Sequence, residues 1–316
     1  MAEFFEVLGF SFTVTGPIFV LLGLGVLLMR TGMLTDAFVA VGSRLVFTIA
    51  LPTLMFLAIA RTRIEDSANP ALIAFGLGMT LAVYLFMEWV ARVFVQPVRD
   101  RGVVVQGAFR SNMGIIGLAY CVNAYGEAGL AAASLYMGMV TILFNVLAVV
   151  TLSRSLHKSQ GAGRMLKGIV TNPLIIGIVL ALPVSWLQVP LPKVMMQAGK
   201  YVGDLSLPLA LLCTGASLDF KSLRAEMGNT LISTLGKLVL VPLLFTLGAA
   251  ALGFRGIELG IVLLMASAPT AAASYVMVRA MGGNATLAAN TIALTTLGSL
   301  LCTSVGVMVL RGLGMM

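Results

Sequence analysis

Residues 263–283 read LLMASAPTAAASYVMVRAMGG, and residues 107–126 read GAFRSNMGIIGLAYCVNAYG. Both stretches are apolar enough to enter a bilayer, and both are interrupted. In the first, Pro269 lacks an N–H and disfavours a helix interior by about 3 kcal/mol. Small residues from Ala266 to Ser274 surround it. In the second, Asn112, Gly114 and Gly117 punctuate the apolar run, and each glycine weakens a helix by about 1 kcal/mol relative to alanine. Irregular backbone at membrane depth is tolerated only inside protein or beside a water-filled cavity. Two such interruptions predict two discontinuous helices that meet near the membrane midplane.

Composition places these segments in a membrane. Of 316 residues, 59% are hydrophobic and 10% charged, and the mean hydropathy is +1.03. A soluble domain carries about 25% charged residues. The apolar runs do not alternate as the strands of a membrane β-barrel must. Candidate helical spans fall at 10–29, 38–60, 70–94, 103–125, 129–152, 168–188, 198–218, 229–252, 257–281 and 286–310. At about 20 residues per span, these leave too little chain for a second soluble domain. The net charge of +8 is scattered over short loops, which reads as membrane topology and not as a nucleic-acid surface. Cys121, Cys213 and Cys302 lie far apart in apolar segments, and the single histidine, His157, lies in a loop. No Cys/His metal site or cofactor site is expected. No nucleophile, base and metal come together in the spans, which disfavours an enzyme. The N-terminal polar stretch carries Glu3 and Glu6 and no basic residue, unlike a cleavable signal.

The basic loops orient the chain. With the N-terminus outside, the inner side collects the larger share of the basic residues, among them Arg30, Arg92, Arg99, Arg101, Arg110 and Arg154. Both termini are then periplasmic, and the longest inner loop, about 153–167, falls near mid-chain. The two halves also correspond. Pro17 and Pro173 are 156 residues apart, as are Pro52 and Pro208. YGEAGLAAASL (125–135) matches MGGNATLAANT (281–291) at nearly the same offset. Five spans per half is an odd number, so the second half enters from the opposite side. The chain divides into a first five-helix repeat, 1–152, a cytoplasmic connecting loop, 153–167, and a second, inverted five-helix repeat, 168–316. The fold class is an all-α membrane protein of ten helices with the fourth and ninth broken, the architecture of secondary transporters.

A broken helix turns free N–H groups and its positive dipole end toward the gap, which suits an anion without any fixed basic side chain. Asn112 can donate two hydrogen bonds to a carboxylate, and Thr270 and Ser274 can add hydroxyls. A small organic carboxylate is the natural ligand, with a cation held by free carbonyls as the alternative. These polar residues also have plainer readings. Asn112 can bridge helices, Thr270 and Ser274 can bond their own backbone, and Pro52 and Pro208 can be simple kinks. Asn145 can brace a broken helix. Asp204 and Lys237 lie within spans, where a charge must be paired or line water. They can pair with each other or serve charge compensation or proton coupling.

The chain as a whole resembles the auxin efflux carrier family, in particular its bacterial organic-acid carriers and the plant PIN-type carriers. The resemblance is carried by LVFTIALPTLMFLAIA (45–60), RSNMGIIGLAYCVNAYGEAGL (110–130), LFNVLAVVTL (143–152), NPLIIGIVL (172–180), YVGDLSLPLALLCTGASL (201–218), KLVLVPLL (237–244) and SAPTAAASYVMVRAMGGNATLAA (267–289). It implies two inverted five-helix repeats, a scaffold beside a mobile transport part, an elevator-like shift of the substrate and, as in PIN-type carriers, a homodimer in the lipid bilayer. The family's crossover asparagine falls on Asn112 and its second crossover proline on Pro269. Where the family often has a proline in the first crossover, this chain has Ala119, which leaves Gly114 and Gly117 to make the break. A malonate-type asparagine–tyrosine string is absent, so malonate is not favoured. The rival readings are a sodium-coupled symporter of the bile-acid type and a sensor that transports nothing. No acid flanks Asn112 or Pro269, so a carboxylate-bearing sodium site has no support.

Overall fold

A computed structural model describes residues 2–60, 69–156, 170–171, 173–218 and 227–316. Most of the connecting loop expected at 153–167, with His157, lies outside the described residues. No β-strand occurs among the described residues. Helix α1 runs Ala2–Arg30, starting earlier than the expected span. Helices α2 (Asp36–Leu45) and α3 (Leu51–Ala60) are joined by a π-helical turn, Val46–Ala50. Next come α4 (Pro70–Phe94) and α5 (Arg101–Phe109). A second π turn, Met113–Gly117, leads into α6 (Leu118–Ser155). Helices α7 (Pro173–Trp186), α8 (Lys193–Asp204) and α9 (Ser206–Ala216) follow. A third π turn, Gly236–Leu240, joins α10 (Met227–Leu235) to α11 (Val241–Ala251). The chain ends with α12 (Gly256–Ser267), α13 (Ala273–Met281) and α14 (Ala285–Gly312). Among the described residues, six helical segments are long and apolar enough to cross a membrane, and α7 and α12 are shorter apolar helices.

Local chemistry explains the boundaries. Asn69 caps α4 by accepting from Leu72 N at 3.1 Å, with Pro70 in the first turn, where its missing N–H costs nothing. Asn284 caps α14 in the same way, through Leu287 N at 3.1 Å. Pro52 and Pro242 each follow a π turn by two residues. A proline clashes with the carbonyl four residues earlier, and the wider turn makes room for the ring. Pro208 acts differently: the span expected at 198–218 is divided at Leu205 into α8 and α9, with Pro208 in the first turn of α9. Helix α6 folds back on itself at Gly126, whose φ of 61° is open to glycine. A Cβ on Gly114 would lie 3.6 Å from Met137 Sδ, whereas a straight helix would separate the two residues by about 35 Å.

The helices form two bundles, and each bundle takes pieces from both halves of the chain. One contains α1, α2–α3, α7 and α8–α9; the other contains α4, α5–α6 and α10–α14. In the first bundle, α1 and α9 touch backbone to backbone. A Cβ on Gly25 would fall 2.3 Å from Leu212 O, and one on Gly215 would fall 2.1 Å from Leu22 O. Small residues let helices approach this closely in a membrane, where van der Waals packing replaces the hydrophobic drive. Gly177 of α7 packs in the same manner on the Pro52 carbonyl.

Candidate functional site

Two interrupted helices cross inside the second bundle. Helix α5 stops at Phe109 and α12 at Ser267, and the chain is extended beyond each end. Ser111 and Thr270 form an antiparallel β-bridge. Asn112 N donates to Pro269 O at 2.7 Å, and Ala271 N donates to Arg110 O at 3.0 Å. The break in the first segment therefore falls at Arg110–Asn112. Gly114 and Gly117, expected to make it, lie in the π turn that follows.

Carbonyls left over at a helix C-terminus need donors, and here each break supplies the other. The Thr270 hydroxyl donates to Gly107 O at 2.6 Å, and Thr270 N donates to the Thr295 hydroxyl at 3.1 Å. Lys237, fully buried in the third π turn, donates to Ala266 O at 2.9 Å and to the Ser111 hydroxyl. The expected pairing of Lys237 with Asp204 is not formed. Lys237 sits behind the crossover, while Asp204 ends α8 in the other bundle, so the ammonium is spent on the carbonyl and hydroxyl beside it.

A cavity of about 390 Å³ opens on the crossover, between the two bundles. Its walls include Phe47 and Thr48 from the first π turn, Pro173 and Leu174 from α7, and Met137, Thr141, Phe144 and Asn145 from the returning limb of α6. Its floor is Arg110–Gly114 and Ala271–Ala273. The N–H groups of Met113 and Gly114, and those of Ala272 and Ala273, open the two helical segments beyond the breaks. They have no acceptor among the described residues. The Asn112 side chain lines the cavity and is likewise unpaired among the described residues.

Arg110 is the site residue that sequence reasoning missed. It was absorbed into the count of inner basic residues, and the gap was expected to hold an anion without a fixed cation. Its side chain is 7% exposed and lines the cavity. Arg110 Nη2 donates to Asn145 Oδ1 at 2.6 Å, and Nη1 lies 3.7 Å from Met277 Sδ. The available signal was its position two residues before Asn112, in the interrupted segment itself. Arginine offers five donors in a rigid fork suited to a carboxylate.

Other expected residues take structural places. The Thr270 hydroxyl ties the two breaks together. Ser274 is 2% exposed, does not line the cavity, and its hydroxyl has no partner among the described residues. Pro269 contributes its carbonyl to the crossover. Gly117 makes room for Met265, whose Sδ would lie 2.8 Å from an added Cβ. Pro52 supports α7, and Pro208 lines a second cavity of about 300 Å³ with Pro17, Glu127 and Asp204. That cavity also lies between the bundles, on the side of the crossover toward Gly126. Thr270→Val removes one hydrogen bond between the breaks and leaves the Gly107 carbonyl unmet, and it is expected to lower stability by about 1–3 kcal/mol. An unchanged midpoint in denaturant or heat would show that the tie carries no load.

A membrane-spanning helical protein whose interrupted segments cross at a cavity between two bundles, with apolar walls and polar groups on its floor, has the features of a membrane transport protein. Residues 10–307 match the family described as membrane transport protein, that of the auxin efflux carriers, and the chain belongs to this family. It is therefore a transporter and not an enzyme. An uncharacterized transporter of Methanothermobacter thermautotrophicus is 28% identical over 267 residues, which are 82% of this chain and 85% of that protein. A second uncharacterized transporter, from Methanocaldococcus jannaschii, is 23% identical over 285 residues, 85% of this chain and 89% of the relative. A protein of Rhizobium meliloti provisionally assigned to malonate transport is 25% identical over 264 residues, 79% of this chain and 80% of that protein.

Proposed function

We propose that the protein is a secondary transporter of small organic anions in the bacterial inner membrane. The observation that carries this reading is Arg110, a buried cation on the floor of a cavity made by two broken helices. Arg110, Asn112 and the unpaired N–H groups of both segments converge on one space, as a carboxylate site requires. The apolar walls from Phe47, Met137, Phe144 and Leu174 suit a carbon skeleton. Among the described residues no Asp or Glu lines the cavity, and Lys237 already serves the Ala266 carbonyl. Both features favour an organic anion over a sodium-coupled alternative.

The same reading takes the chain as ten spans in two inverted repeats, 1–152 and 168–316, with the 153–167 loop cytoplasmic, both termini periplasmic, and a homodimer as the working unit. The composition of the bundles supports the repeat, because residues 2–60 and 173–216 form one and residues 69–156 and 227–312 the other. Alternating access follows an elevator-type path. The bundle holding the crossover slides against the bundle stiffened by the α1–α9 contact, and the cavities on either side of the crossover are its two openings. Asn112→Ala is expected to weaken carboxylate binding about tenfold, the loss of one good hydrogen bond to a charged group, with the fold intact. Thermal-shift titrations with small carboxylates, with and without sodium, test this. Undiminished stabilisation of the variant, or stabilisation by sodium alone, would count against the site.

A further inference from the structure

We infer that the carrier works by exchange: the crossover reorients readily only with an anion bound, so that one organic anion enters as another leaves. The inference rests on the transport reading above and adds to it what drives the return step. Its basis is the charge inventory of the crossover. Arg110 is held by neutral partners, the Asn145 carbonyl oxygen at 2.6 Å and the Met277 sulfur at 3.7 Å. Lys237 is held by neutral partners too, the Ser111 hydroxyl and the Ala266 carbonyl at 2.9 Å. Among the described residues no Asp or Glu lines the cavity. The moving part thus carries two buried cations and, among these contacts, no counter-charge.

Lys237 does not line the cavity and is fully buried, so its surroundings travel with it. Arg110 differs, because it borders the open space. In the state seen here, water in the cavity can solvate the guanidinium. Sliding the crossover past the apolar faces of Phe47 and Leu174 on one side, and Leu54 and Leu207 on the other, strips that water away. A carboxylate bound to Arg110 makes the moving site neutral at this position, and an empty site must cross with the charge bare. On insertion scales the penalty for an arginine at mid-membrane corresponds to a rate difference of roughly a hundredfold. A neutral partner such as Asn145 lowers that penalty without cancelling the charge.

The test uses the intact protein reconstituted in liposomes, with potassium and valinomycin holding the membrane potential at zero. Uptake of labelled malonate, succinate and lactate is measured separately into vesicles that contain either the same unlabelled acid or only potassium chloride. The expected result is uptake of at least one acid that is roughly a hundredfold faster into the acid-loaded vesicles. Equal initial rates would overturn exchange and mean that the empty carrier neutralises Arg110 by another route, for which Asp204 and Glu127 of the second cavity are the candidates. If an acid raises the protein's thermal stability but is carried into neither kind of vesicle, exchange is also overturned while the anion site stands. If none of the three acids stabilises the protein or is carried, the anion-transport reading fails and the exchange inference with it.

Discussion

Arg110→Gln is expected to weaken carboxylate binding by roughly a hundredfold or more while leaving the protein folded. The guanidinium is 7% exposed and lies on the cavity floor, so a bound carboxylate would meet it in a largely desolvated setting. Removing one partner of a buried, hydrogen-bonded charge pair costs about 2–5 kcal/mol. Glutamine keeps the aliphatic stem and an amide donor on the cavity floor, although two bonds short of Asn145, and the crossover's backbone bonds are untouched. Arg110→Lys retains the charge and loses the fork, and its affinity should fall between the two. Calorimetric or thermal-shift titration of the three proteins with the same acids separates these outcomes. If Arg110→Gln bound as tightly as the unchanged protein, the arginine would be a structural brace for α6, and the anion would have to be held elsewhere.

Gly215→Val is expected to be the most damaging single change in the scaffold. Even an alanine-sized Cβ there would sit 2.1 Å from Leu22 O, 2.8 Å from Leu22 C and 2.9 Å from Leu22 Cα. These are backbone atoms of α1, which cannot swing aside as the end of a flexible side chain does. Relief requires the two helices to separate, which also disturbs the reciprocal contact of Gly25 with Leu212 O and Ala216 N. Overpacking of this kind costs about 1–3 kcal/mol and occasionally more, and valine adds two methyl groups to the clash. The expected result is a large fall in the thermal midpoint and in the yield of monodisperse protein. Gly228→Val should do little, because nothing lies within 4 Å of its Cβ position. Equal behaviour of the two variants would show that α1 and α9 are not in rigid contact.

The geometry of the candidate site was legible in the sequence where backbone chemistry decided it. Pro269 has no N–H and is flanked by small residues, so the apolar segment around it had to break nearby, and α12 does stop at Ser267. Asn112 stands polar in an apolar segment and lies on the cavity floor. The first break was placed less well. Glycine content pointed to Gly114 and Gly117, yet the extended residues are Arg110–Asn112, held there by pairing with Pro269 and Ala271 across the crossover. Hydroxyl content said equally little about direction: Thr270 spends its hydroxyl on Gly107, and Ser274 does not line the cavity. A serine or threonine in a span has a carbonyl of its own helix or of a neighbour within reach, and composition cannot tell which one it uses.

By itself, the sequence determined that the chain is a helical membrane protein, where its apolar segments run, and that two of them are interrupted. It did so because burial of apolar surface and satisfaction of backbone hydrogen bonds in lipid depend on residue type and spacing along the chain. Only the tertiary structure decided which segments share a bundle, that Lys237 serves the crossover and does not pair with Asp204, and that Arg110 faces the cavity with Asn145 beside it. Those outcomes depend on contacts between residues 29 to 126 positions apart. Such contacts are fixed by the packing of whole helices against one another, and no local pattern of residues encodes them.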